Sequence, residues 1–412
     1  MSRSSKVLAT LALATLVAAG CSSAKNGTSS STTSGSNSGG GKTFTVGVLT
    51  DLTGPAASGA KTSPFGAKAG AIVASSEGFQ IRIVEADSQT SPSGILTSAK
   101  KLVEQDHVDA VLAVSALTFA AADYLTSKGI PVVGVAEDGS EWTTHANMFS
   151  AFGFNDATKV STTAGLFFKM QSVTTLGTLG YGISPQSANA AKGAAVSAQA
   201  VGLRAPYVNA NFPFGSTNVA PVALQMKAAG VDGFTSTTDP NTSFALITAM
   251  RQAGVNLKVA LLPDGYGGDL LQAGPGALQS GQGVYFSLSF EPVEMHTAAT
   301  EKFANALKSA GVTGAPTYGE YAGYTSMALL VQALHTAGAH PSHAALISAL
   351  SGVTGFNAWG LLGSHSFGMA DRAATATGVD GCLWVTKLSG SSFQLVPGAD
   401  PICGSVIAGK TV

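Results

Sequence analysis

At 412 residues the chain is long enough for two or three domains with a substantial core. Only 11% of its residues are charged, the formal net charge is −1, and 45% are hydrophobic, which excludes a disordered, highly charged chain. No basic run follows the first few residues, so a nucleic-acid partner is excluded as well.

The N-terminus reads as a targeting segment. Arg3 and Lys6 form a short positive region, and residues 7–19 are apolar but too few to span a bilayer as a mature helix. The segment ends L-V-A-A-G-C, which resembles a bacterial lipobox. That resemblance implies cleavage after Gly20 and lipidation of Cys21, the other reading being an ordinary secretory signal with an incidental cysteine. Residues 22–41 are almost wholly Ser, Thr, Gly and Asn, the composition of a flexible tether. Residues 1–20 are thus expected to be a signal peptide and 21–42 the anchored tether, and losing Arg3 and Lys6 takes the charge from −1 to −3. Cys382 and Cys403 then remain, and export favours a disulfide between them over two buried thiols. Such a bridge closes a loop of about twenty residues and contributes roughly 3 kcal/mol. No cysteine or histidine spacing suggests a metal, and nothing calls for a cofactor.

From residue 43 the chain alternates strand and helix patterns. T-F-T-V-G-V-L over 43–49 reads as a strand, followed by the loop T-D-L-T-G-P-A-A-S-G-A and a small-residue helix over 65–74. A strand over 80–85 leads to a helix announced by Pro92 and Ser93, with Ile95, Ala99, Leu102 and Val103 on its apolar face. Residues 109–138 then form a complete strand–helix–strand unit. Residues 110–114 are a run suited to a strand buried on both faces, Ser115 stands at its end, and Leu117, Ala121, Tyr124 and Leu125 fall at helical spacing. Gly129 ends that helix, and 130–135 make a parallel partner strand that finishes at Glu137 and Asp138. Ligands of open α/β sheets bind at such carboxyl ends, and helix-start N–H groups after Ser115 suit an anion.

A fresh series opens after an extended stretch at 149–157. Helices are expected over 158–170, 188–201, 219–229 and from Pro240 to Ala253, with strands over 173–179, 205–208, 231–237 and 257–262. These strands end at Tyr181, at Asp239 before Pro240, and at P-D-G-Y-G-G, which holds Asp264 and Tyr266. Residues 283–290 are extended again. Helices over 298–310, 318–337 and 342–350 follow without a sheet of their own and should return to the first lobe. Residues 381–396 read as a hairpin turning at 389–392. The fold class is therefore α/β, two doubly wound parallel-sheet lobes.

V-G-V-L-T-D-L-T-G-P-A-A, the strand–Ser–helix–G-I-P-V-V unit, the strand ending P-D-G, and Y-A-G-Y-T-S-M-A-L-L-V-Q-A-L-H-T-A-G resemble type I periplasmic substrate-binding proteins, nearest to the Leu/Ile/Val-binding family of ABC importers. The resemblance spans residues 43–396. It implies three crossovers, near 152–156, 285–291 and 367–372, with residues 43–154 and 287–368 forming the N-terminal lobe and 155–286 and 369–412 the C-terminal lobe. It also implies that Ser115, with Ala116 and Leu117, holds a ligand carboxylate and that Asp264 holds an amine. The same positions have local readings, a helix cap and a loop carboxylate. An aromatic residue usual in the first loop aligns with Gly59, and Phe65 is the candidate to replace it. Glu137, Asp138, Tyr181 (with Ser184 and Gln186 beyond it), Asp239 and Tyr266 complete the candidate set. Asp239 rivals Asp264, and Tyr266 either stacks on ligand or shields the hinge. The acids suggest a ligand with an extra amine, amide or hydroxyl groups.

No G-x-S-x-G elbow, Walker loop or H-E-x-x-H is present, and the seven histidines do not assemble. The expectation is a monomeric lipoprotein on the extracytoplasmic face of the membrane, partnering ABC permease subunits and a small polar solute. A sensory receptor and a secreted hydrolase are the rivals.

Overall fold

Five strands whose carboxyl ends meet on one edge build the first sheet of the computed structural model, which describes residues 43–152, 158–272, 276–370 and 381–412. The expected signal, Cys21 and tether lie outside the described residues, as do parts of the crossovers expected at 152–156 and 367–372. The strands are β1 (Phe44–Thr50), β2 (Ile81–Asp87), β3 (Ala110–Val114), β4 (Val132–Gly134) and β5 (Met148–Ser150), in the order β2-β1-β3-β4-β5 and all parallel. Among them run α1 (Ala57–Ala60), α2 (Ser63–Ser76), α3 (Pro92–Glu104), α4 (Phe119–Ser127) and α5 (Glu141–Thr144). Because successive side chains alternate, one face of β3 presents Leu112 and Val114 to one core and the other presents Val111 and Ala113 to a second, with Leu102 and Ala121.

The second lobe begins with β6 (Lys159–Ser161), α6 (Thr163–Met170), β7 (Thr175–Tyr181), α7 (Pro185–Ala200), β8 (Arg204–Phe212), α8 (Ala220–Ala228), β9 (Gly233–Thr237) and α9 (Pro240–Gln252). It continues through β10 (Val259–Leu262), α10 (Gly268–Gln272), α11 (Ala277–Ser280) and β11 (Tyr285–Leu288). Helices α12 (Ala298–Ser309), α13 (Tyr318–Ala337) and α14 (His343–Ser351) follow. The chain then returns through β12 (Cys382–Ser389), β13 (Ser392–Leu395), β14 (Ile402–Cys403) and β15 (Val406–Thr411). The second sheet runs β13-β12-β11-β10-β9-β7-β8; β7 to β11 pair in parallel, and the β12–β13 hairpin is added antiparallel to β11. Cys382 and Cys403 face each other across β12 and β14 and are disulfide-bonded.

The helix expected over 158–170 begins only at Thr163. Residues Lys159–Ser161 pair instead with β15 at the far end of the chain, and Thr162 N–H donates to the Ser405 carbonyl at 2.9 Å. A pairing partner more than two hundred residues away leaves no local signature. No helix among the described residues is long and apolar enough to cross a membrane.

Helix α13 is set by its own start. Thr317 Oγ1 accepts from Glu320 N–H at 3.1 Å while the Glu320 carboxylate accepts from Thr317 N–H at 2.9 Å, a reciprocal cap. The helix is buried nearly all round and packs along α2 in the first lobe, as its apolar composition requires. The two helices approach so closely that a Cβ on Gly66 would sit 2.0 Å from the Glu320 carbonyl oxygen, and one on Gly323 would sit 2.1 Å from that of Ser63. Gly323→Ala is therefore expected to cost about 1–3 kcal/mol, read as a lower urea midpoint. Gly276→Ala, where an added Cβ meets nothing within 4 Å, serves as the neutral control.

Candidate functional site

The carboxyl ends of both parallel sheets face one cavity of about 280 Å³. From the first lobe it is lined by Asp51 after β1, Ala116 after β3, and Ala136 and Glu137 after β4. From the second it is lined by Tyr181 at the end of β7, Ser184 and Gln186 where α7 begins, Asp239 after β9, and Asp264 after β10. Phe152, Phe214 and Tyr318 add aromatic walls. Four carboxylates line the cavity, and among the described residues no lysine, arginine or histidine does.

Two of the second-lobe residues are there because they start helices. Ser184 and Asp239 stand one residue before Pro185 and Pro240, and each caps its helix, accepting from Ser187 N–H at 3.1 Å and Thr242 N–H at 3.2 Å. The other Asp239 oxygen accepts from Thr242 Oγ1 at 2.7 Å and from the Tyr181 hydroxyl. Burial and the Asp239 charge push the Tyr181 hydroxyl up, so it stays a donor. The lobes touch beside the cavity. Ser184 Oγ and Gln186 N–H both donate to the Asp138 carbonyl, at 3.0 and 3.2 Å.

The anion receptor after β3 is filled from within the chain. Asp51 accepts from Ser115 Oγ at 2.6 Å, from Ala116 N–H at 2.9 Å and from the Ser88 hydroxyl. Burial raises its pKa, and the Ser115, Ser88 and Ala116 hydrogen bonds offset part of that rise. The first amide of α4 is taken by a second internal carboxylate, with Phe119 N–H donating to Asp138 at 2.8 Å. Glu137 and Asp264 differ from these. Glu137 Oε1 and Asp264 Oδ1 are buried and have no hydrogen-bond partner among the described residues. Burial pushes Glu137 up to about 8, against the Tyr318 hydroxyl bond and with the Asp138 and Asp51 charges. Burial, then the charges of Asp239, Asp269 and Glu137, hold Asp264 well above the carboxylate range.

The sequence profile of the periplasmic binding protein family matches residues 43–392. The chain belongs to that family. It is a binding protein, not an enzyme. Its type I fold is similar to a leucine-binding protein from Thermotoga maritima, at 16% identity and a TM-score of 0.68 over 86% of this chain and 97% of that one. It is also similar to a branched-chain amino acid transporter substrate-binding protein from Streptococcus pneumoniae in complex with isoleucine, at 18% and 0.69 over 89% and 99%. A third is an ABC-transporter solute-binding protein from R. palustris in complex with 4-hydroxybenzoate, at 16% and 0.68 over 86% and 96%. No curated protein matches the chain by sequence.

Among the expected site residues of this binding protein, Ala116, Glu137, Tyr181, Asp239 and Asp264 meet at the cavity. Ser115 lies one layer behind, 1% exposed, with its hydroxyl committed to Asp51. Leu117 is buried, and its N–H donates to Ser115 Oγ at 3.2 Å. Asp138 is absent from the lining, because its carboxylate serves Phe119 N–H and the Trp142 indole. Tyr266 is fully buried and donates to Glu294, with its ring against Phe393 and Tyr321. Phe65 is 41% exposed, its ring under Lys68. Asp51, Phe152, Phe214 and Tyr318 were not anticipated. Asp51 alone had a local signal, as an acid at the end of the first strand.

Glu137 gives the ligand-free protein a pH-dependent stability. Its carboxyl keeps a proton in the folded chain up to about pH 8, against 4.5 in the ordinary state. The stability it contributes is complete below the lower value and is lost as pH rises through the higher one. Between roughly pH 5 and pH 8 the melting temperature of the parent should fall relative to Glu137→Gln; parallel melting curves would contradict this assignment.

Proposed function

We propose that this chain is the extracytoplasmic, lipid-anchored solute receptor of an ABC importer and captures a small polar solute between its lobes by hinge closure. The observation that carries the reading is the single cavity shared by the carboxyl ends of both parallel sheets, with polar groups of both lobes converging on it. Ligand bridging Glu137 of one lobe and Asp264 of the other stabilises the closed arrangement, which permease subunits then recognise. The Ser184 and Gln186 bonds to the Asp138 carbonyl belong to that closed state. Family membership and the isoleucine and 4-hydroxybenzoate complexes of similar proteins support solute capture. The lobe boundaries follow the two sheets, and Cys21 carries the lipid.

A thermal-shift screen of amino acids, amides, amines and sugars tests the reading. A solute at 100 times its dissociation constant should add about 2.7 kcal/mol of stability and reduce the radius of gyration in solution scattering. A solute that binds without compaction defeats closure. For the anchor, Cys21→Ser should release the protein from the membrane fraction into the soluble one, and unchanged membrane retention would refute lipidation there.

A further inference from the structure

Two features of the cavity narrow the chemistry of its occupant. First, the groups that would receive a ligand carboxylate are already used. The Ser115 hydroxyl and the Ala116 amide hold Asp51, the Phe119 amide holds Asp138, and among the described residues no cationic side chain lines the cavity. A bound carboxylate would therefore face four acids with no charged partner, a desolvation cost without compensation. Second, Glu137 Oε1 and Asp264 Oδ1 are buried, unpaired acceptors on opposite lobes that line the same space. Unpaired buried acceptors call for donors from whatever fills the cavity, and a cation satisfies them with charge-assisted bonds. Tyr181, Phe152, Phe214 and Tyr318 supply aromatic faces suited to a cation or its alkyl stem.

Resting on the reading that this cavity takes a solute, we infer that the solute is a small organic ammonium ion without a carboxylate. Glu137 and Asp264 are its partners, and Asp51 occupies the place where an amino acid would put its own carboxylate. The volume, about 280 Å³, limits the ion to a small one. The groups facing Glu137 are Tyr318, Asp138 and Asp51, and those facing Asp264 are Asp239, Asp269 and Glu137. Among the described residues those neighbours are acids and a tyrosine, so a bound cation favours the carboxylate form of Glu137 and Asp264 that burial disfavours.

The test is calorimetric titration of the full chain with charge-matched probes. Propylamine, butane-1,4-diamine, ethanolamine and choline are the cations, leucine the zwitterion, 4-hydroxybenzoate the anion and butane-1,4-diol the neutral control. At least one cation should bind, with leucine and 4-hydroxybenzoate weaker by about 100-fold or more. Glu137→Gln and Asp264→Asn should each weaken the cation by at least about tenfold. Asp51→Ala should gain leucine binding, because the Ser115 and Ala116 donors are then open to a ligand carboxylate; should that variant not fold, the charge series on the unaltered protein decides alone. Tight leucine, 4-hydroxybenzoate or diol binding, or no binding by any of the four cations, overturns the inference. The first of these outcomes leaves solute capture standing, whereas silence across this series and the wider screen removes both.

Discussion

The Asp51 carboxylate is the interaction around which the first lobe's mouth is arranged. It ties the end of β1 to the loop after β2 through Ser88 and to the turn after β3 through Ser115 and Ala116. One buried acid thus gathers three strand ends. Hydroxyl and amide donors make it tolerable to bury, and once they are spent on it the mouth no longer offers an anion receptor. Asp138 repeats the pattern at the start of α4. The fold provides its usual cradle of helix-start amides, and this chain fills that cradle with its own side chains.

The second lobe meets this mouth with helix starts of its own. Ser184 and Asp239 cap α7 and α9, and those caps stand at the rim because parallel strands all deliver their following helices from the same edge. The capping requirement and the lining of the cavity are met by the same residues. The Tyr181 hydroxyl locks Asp239 further, so of the two second-lobe acids that line the cavity it is Asp264 that keeps a free oxygen. Satisfied and unsatisfied carboxylates therefore coexist within one cavity.

Aromatic packing also joins the lobes. Phe290 stacks on Tyr321 at 3.8 Å between ring centres, Phe152 meets both Phe290 and Tyr318, and Tyr266, packed on Phe393 of its own lobe, reaches Tyr321. Asp269 takes the Tyr318 N–H at 2.8 Å across the same seam. This buried aromatic junction is where we propose that the lobes pivot, while the polar rim contacts through the Asp138 carbonyl can be exchanged with water at little cost.

The alternation of short apolar runs with small-residue helices was enough to determine two parallel sheets, because a strand buried on both faces and a helix with one apolar stripe leave local patterns. The 110–114 strand, the Pro240 helix start and the Tyr318–Ala337 helix were legible in this way, and the ordered motifs along the chain pointed to the family. What the tertiary structure alone decided was which acids are spent. Asp51 and Ser115 are 64 residues apart, and nothing near either announces their bond. The same holds for the β6–β15 pairing and for the burial of Tyr266. Position at a strand end was local information. Hydrogen-bond satisfaction was not, since it depends on which distant donors the fold brings within 3 Å.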